Sequence, residues 1–245
     1  MTVLHHSIPY DVSTRALPGI QPVKEPWLRV DEAYAGQMAR RSELLDSKAG
    51  EVLYLEPQAR AAASELLDMV LTLLPDLGFE QAGAVVLCPD GRRVTVDHAN
   101  PMATLGRLVQ CDFVLLDKRG DEHVLTGAVL CFPASWRLDE KAGQPLVAIH
   151  TPVDSYDDNI AKRVQRLFDG IQPDRPLWRF NGLWYVDPEL HQPRSVTEPR
   201  RQRDGAGYFR SERQTLLRLP QSRTVVFAIH TYLMRAEDVD KDAAS

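Results

Sequence analysis

Arg213, Thr215 and His230 are the residues near the C-terminus whose types and spacing could share one task. Pro220-Gln221-Ser222-Arg223 divides two alternating runs, Tyr208 to Leu219 and Thr224 to Met234, and either a two-residue or a four-residue loop puts Leu219 and Thr224 in the same pairing register. Stepping back by twos, Leu217 meets Val226, Thr215 meets Ala228, Arg213 meets His230 and Ser211 meets Tyr232, all on one face. The other face carries Glu212 with Thr231, Gln214 with Ile229, and Leu216 with Phe227. A guanidinium opposite an imidazole needs an anion or a neutral ring beside it, because an unpaired buried charge costs roughly 3 kcal/mol or more. An acidic or polarised ligand meets that need, and so does an ordinary Asp or Glu. The plainer alternative is a solvated or carboxylate-paired strand face.

His150 is the second candidate. It closes Leu146-Val-Ala-Ile149 just before Pro152, a run that reads as a strand carrying an imidazole to the mouth of the core. A neutral imidazole there can ligate a metal, with its other ring nitrogen bonded to an acceptor that sets the tautomer. A capped, hydrogen-bonded core histidine is the competing reading. His5 and His6 fall in an extended arm, and His98, His123 and His191 in turn-like or polar stretches, which makes these five weaker candidates. No HExxH, paired metal-ligand spacing or 2-His-1-carboxylate cluster is visible in the sequence. GxSxG, Walker A and GxGxxG motifs are absent, and Gly205-Ala-Gly207 lacks the strand-to-helix context of a phosphate cradle, so the chain shows no place for its own nicotinamide or flavin.

Composition narrows the class. At 245 residues the chain can bury a core without staples, and a net charge of −5, from 34 acidic against 29 basic residues, argues against a broad nucleic-acid surface. Arg200, Arg201 and Arg203 make only a local basic knot. Cys88, Cys111 and Cys131 lie far apart with no CxxC, so neither a disulfide framework nor a zinc or iron–sulfur ligand set can be read from them, and a reducing cytoplasm fits best. Neither an export signal nor a membrane span is readable, and the expectation is a soluble cytoplasmic protein.

The elements that must position these residues follow from periodicity. Residues 1–27, with Pro9, Pro18, Pro22 and Pro26, read as an extended arm anchored by Trp27 and Leu28. Helices are expected from Asp31, a plausible N-cap, to Lys48, over Pro57 to Leu74, and over Pro101 to Val109. A hairpin is expected at Ala84–Leu87 and Arg93–Val96, a strand pair at Cys111–Leu116 and Val124–Phe132, and a short strand at Val147–His150. Asp154 or Ser155 could cap a helix ending at Gly170, followed by an aromatic strand over Leu177–Val186 and a polar loop over Asp187–Gly207. Early helices and late antiparallel strands signal an α+β fold.

The segments Pro26-Trp27, Asp31-Glu-Ala-Tyr34, Arg40-Arg41-Ser-Glu-Leu44, Cys131 to Val153 and Arg210 to Tyr232 together resemble the haem-dependent oxidative N-demethylase family. The resemblance implies a PAS-like antiparallel sheet with flanking helices, a single haem-binding domain over residues 28–236 between the arm at 1–27 and an acidic tail at 237–245, and haem b as cofactor. It implies oxidation of a small methylated amine by O2 with release of formaldehyde, electrons coming from a separate flavin and iron–sulfur reductase. His150 becomes the axial haem ligand, Arg213 with Thr215 and His230 the oxygen-binding or propionate-binding side, and Trp136, Lys141 and Arg179 contacts to the porphyrin edge. A haem-binding sensor or ligand module is the alternative, because fold does not fix function, and a scaffold that has lost haem is a third reading. Self-association into a homo-oligomer stays open.

Overall fold

The computed structural model describes residues 3–12, 19–150, 158–198 and 205–239. In chain order the elements are β1 (Gln21–Pro22), α1 (Tyr34–Ser47), α2 (Ala49–Val52), β2 (Leu53–Leu55), α3 (Arg60–Leu73), β3 (Glu80–Ala82), β4 (Val85–Leu87), β5 (Arg93–Thr95), α4 (Pro101–Leu108), β6 (Asp112–Arg119), β7 (Glu122–Val129), α5 (Leu138–Lys141), α6 (Leu146–His150), α7 (Asp158–Gly170), β8 (Leu177–Tyr185), β9 (Tyr208–Arg218) and β10 (Val225–Arg235). The predicted cap at Asp154 or Ser155 and the basic knot at Arg200, Arg201 and Arg203 lie outside the described residues.

Among the described residues, seven strands form one sheet in the order β1-β8-β9-β10-β6-β7-β2, and β3, β4 and β5 make a small second sheet. Every pairing in the large sheet is antiparallel. The fold is mixed helix and strand, organised on this sheet. One core lies where α1, α3 and α4 cover one face, with Met38, Leu44, Leu66, Leu67, Leu105, Phe113, Leu217 and Val226 buried together. A second core lies on the opposite face under α5, α6 and α7, with Val114, Leu116, Leu146, Ile149, Phe168, Leu216 and Ile229. Alternation along β9 and β10 divides the residues between the two: Leu217 and Val226 go to the first core, Leu216 and Ile229 to the second.

The edge of β10 is exposed to pairing beyond Ile229, where its partnership with β6 stops. Polar groups from the N-terminal part of the chain close it: Gln37 Nε2 donates to Thr231 O at 2.9 Å, and the His5 N–H donates to Leu233 O at 2.7 Å. A buried strand edge needs such partners, since an orphaned backbone group costs about as much as a lost hydrogen bond. The N-terminal segment is therefore tied to the sheet through the main chain and the ring of His5, and Val12 adds apolar contact with Phe209 and Met234.

Val147–His150, expected as a strand, is helical, because Leu146 and Ile149 are buried while Val147 and Ala148 are exposed, a helical phase. Asp31 stands just ahead of α1, where its Oδ1 accepts the Ala33 N–H at 3.0 Å.

Candidate functional site

β9 and β10 pair in the register that alternation requires: Arg213 faces His230, Thr215 faces Ala228, and Ser211 faces Tyr232. All of these side chains are buried. The His230 Nε2 lies 2.7 Å from Asp31 Oδ2, and the His5 Nε2 reaches the same oxygen at 3.0 Å. The other carboxylate oxygen accepts Gln110 Nε2 at 2.7 Å. Two imidazoles and a carboxylate match the composition of a metal-ligand set. Proton placement argues against that use. The Leu233 N–H donates to His5 Nδ1 at 3.1 Å, so the neutral ring carries its proton on Nε2 and has no lone pair there for a metal. The cluster is a hydrogen-bonded clamp.

Its electrostatics agree. Burial opposes ionisation of Asp31, but the hydrogen bonds from His230 and His5 outweigh it and hold the carboxyl well below the usual carboxylate range. Burial pushes the His230 pKa down, with Asp31 opposing, and burial raises the neighbouring Cys111 thiol to about 12. The ring of His230 is therefore the neutral partner that a buried guanidinium tolerates.

Arg213 donates through Nη1 to Trp27 O at 3.2 Å and to Thr215 Oγ1 at 3.0 Å, and its guanidinium sits 4.9 Å from the Trp178 ring centroid. No carboxylate pairs with it among the described residues. Burial, and then the like charge of Arg29, push its pKa down. A carbonyl, a hydroxyl and an indole face take the place of the anion that the sequence left open.

Arg179 is paired with Gln214 in the ladder and so points to the opposite face of the sheet from Arg213. On that face Trp136 packs against the second core, and Lys141 holds its Nζ 4.8 Å from the Trp136 ring centroid. Burial pushes the Lys141 pKa down to about 8, with Glu140 opposing. Burial also lowers Arg179, with Glu212 opposing, and the Arg179 Nε is shielded from solvent without a hydrogen-bond partner. Neither cation has a carboxylate ion pair among the described residues. β8 is half-buried along its whole length, on both of its faces.

His150 ends α6, whose Leu146 and Ile149 are anchored in the second core. Its side chain lies outside the described residues. The sheet thus separates the predicted residues into two sets: Arg213, Thr215 and His230 on the first-core face, and Arg179 and Trp136 on the second.

Sequence reasoning missed Asp31 as the partner of His230, and His5 and Gln110 as the other groups on that carboxylate, since contacts across 199, 26 and 79 residues leave no local pattern. His191 was also undervalued. It is 9% exposed, with Nδ1 donating to Cys131 O at 2.9 Å. No helix among the described residues is long and apolar enough to cross a membrane. A family model described as haem-dependent oxidative N-demethylase, alpha subunit-like, matches residues 19–245.

Proposed function

Because the chain belongs to the haem-dependent oxidative N-demethylase, alpha subunit-like, family over residues 19–245, we propose that it is the haem-binding component of an oxidative demethylase acting on a small methylated amine. In this reading the domain is PAS-like, the cofactor is haem b, O2 is the oxidant, and a separate flavin and iron–sulfur reductase supplies electrons. The observation that supports it is the pair of desolvated cations, Lys141 and Arg179, each without a carboxylate. A half-buried charge left without a counter-ion is unfavourable, and it fits a chain whose anion arrives as a ligand. Haem carries two carboxylates, the kind of anion that either cation would take.

Trp136, Lys141 and Arg179 would hold the propionates, and His150, carried by α6 on the same side of the sheet, is the proposed iron ligand. Bound haem would supply the oxidation of the N-methyl group, with formaldehyde as product. The chain's own residues then bind and orient: the indole of Trp136 offers a flat apolar surface, and the two cations fix the carboxylates. Arg213, Thr215 and His230 lie on the other face of the sheet. Their part in oxygen reactivity, as proposed, is exerted through the β9–β10 ladder rather than by contact.

Titration with haem, followed by visible absorption, tests the reading. Lys141→Met and Arg179→Met should each weaken haem affinity about tenfold, as expected for loss of a charge-assisted bond. Both should leave the haem-free Tm unchanged or raise it, because a half-buried cation with no carboxylate partner has gone. His150→Ala should abolish stoichiometric binding. A normal haem spectrum in His150→Ala would overturn the ligand, and full haem affinity in both cation variants would overturn the site.

A further inference from the structure

Two histidines among the described residues keep a ring nitrogen shielded from solvent with no hydrogen-bond partner: Nε2 of His123 and Nε2 of His191. The surroundings of His123 explain its state, since the ring packs 5.2 Å from Phe168 and donates or accepts only at Nδ1, toward Gln165. His191 is different because it lines a cleft of about 310 Å³ together with Glu51, Asp139 and Glu198.

The proton positions make His191 a ready ligand. A carbonyl oxygen only accepts, so Nδ1 of His191 donates to Cys131 O, and in the neutral ring the lone pair sits on Nε2. That carbonyl is itself fixed: the N–H groups of Cys131 and Phe132 donate to the two oxygens of Asp112 at 2.7 and 2.8 Å, and Asp112 is held by the buried Arg41. The imidazole is oriented by a rigid frame, with its free nitrogen turned toward a carboxylate.

The nearest carboxylate atom is Glu51 Oε2, at 3.7 Å. That separation is long for a hydrogen bond, whose usual length is about 2.9 Å. Two atoms bound to one tetrahedral zinc ion at roughly 2.0–2.2 Å lie about 3.4 Å apart, a few tenths of an ångström less than the distance here. By comparison, the oxygen shared by His5 and His230 is at 3.0 and 2.7 Å, the spacing of the hydrogen bonds that already occupy those rings. Asp139 and Glu198, both exposed, line the same cleft with Arg137, which pairs with Asp139, and they stand farther from the His191 and Glu51 atoms than a shared ion would bring them.

We infer that His191 Nε2 and Glu51 form a binding site for a divalent transition metal of the zinc type, with water completing the coordination. The ion would clip α2, which carries Glu51, to the segment after β8 that carries His191. The site shares no residue with the proposed haem contacts, and the inference does not rest on that reading.

Full-length protein freed of metal by a chelator should be titrated with Zn2+ and with Co2+, following metal binding with a competing indicator and stability by Tm. One equivalent should bind and raise the Tm, and the Nε2 resonance of His191 should shift on Zn2+ addition. His191→Gln and Glu51→Gln should each weaken binding by at least about tenfold and remove the Tm rise. Glu51 is exposed, so Glu51→Gln keeps the test valid should the histidine variant fold poorly. His98→Gln serves as the control: His98 lies at the same 3.7 Å from Asp68, but both side chains are exposed, and its loss should change nothing. Equal binding by His191→Gln and the unsubstituted chain, or no equivalent bound, would overturn the site. Loss of the haem spectrum in His191→Gln with Zn2+ binding intact would likewise overturn it, by assigning the imidazole to haem iron.

Discussion

Arg41 and Asp112, 0% and 1% exposed, are joined at 2.6 Å and are each engaged on every side. The guanidinium also donates to the carbonyls of Gly106, Gln110 and Cys111, while the carboxylate accepts the Cys131 and Phe132 N–H groups. Desolvation works against both charges, so the pair is stable only as a completed set, and removing one partner leaves the other uncompensated. Asp112→Ala should therefore cost about 3–5 kcal/mol, a Tm loss on the order of 10 °C for a chain of this size. A thermal melt measures it directly, and a loss under about 2 °C would show that Arg41 finds another partner. Helical phase did carry a sign of this arrangement. Tyr34, Met38, Arg41 and Leu45 fall on one face of α1, which places Arg41 among apolar residues and its neighbour Arg40 at the surface with Glu43 and Glu189. What periodicity could not supply was the identity of Asp112, 71 residues away.

Gly106 shows how closely the elements approach. A methyl group on it would come 2.7 Å from Val129 Cγ2 and 3.1 Å from Leu45 Cδ1, so α4 packs against α1 and β7 through a bare backbone. Helix propensity alone favours Ala over Gly by about 1 kcal/mol, whereas overpacking a core costs about 1–3 kcal/mol. The clash should win, making Gly106→Ala destabilising in a urea melt. Gly50 in α2 has nothing within 4 Å of the same position, and Gly50→Ala should be neutral or stabilising by up to about 1 kcal/mol. If Gly106→Ala is neutral or stabilising, packing at α4 is looser than this geometry. The element scale is also where the sequence was most legible. The register of β9 with β10 followed from side-chain alternation and loop parity, two local rules that need no knowledge of the rest of the chain. Which face would hold a ligand did not follow, because both faces of the hairpin are partly apolar and both are covered by helices. The misread run at Val147–His150 has a similar cause: four residues rich in apolar side chains fit a short strand and a single helical turn equally well, and only contact with the second core decides.

The clamp of His5, Asp31 and His230 joins the N-terminal segment, the start of α1 and the central strand of the sheet, β10, with Gln110 adding the approach to β6. Its charge state therefore bears on the whole molecule. The His230 pKa is lowered by burial, so as pH falls below about 6.5 the unfolded chain takes up a proton that the folded chain refuses. Stability is complete above that pH and declines as pH falls toward the lowered folded value. Asp31 acts in the same sense but in a lower window: its folded pKa lies well below the unfolded value of about 3.9, so the stability it contributes is present above pH 4 or so and is lost as pH falls through the folded value. His123, also lowered by burial, adds to the upper window, and Cys111, the other group on the His230 ring, stays a neutral thiol throughout. The unsubstituted chain should show a Tm that falls steadily from pH 7.5 to 5.5. His230→Gln keeps a hydrogen-bonding group next to Asp31 but cannot titrate, so the slope should become shallower, and His230→Gln with His123→Gln should flatten it further. If the double variant keeps the full slope, the acid sensitivity resides in other groups and the clamp is not what couples the N-terminal segment to the sheet.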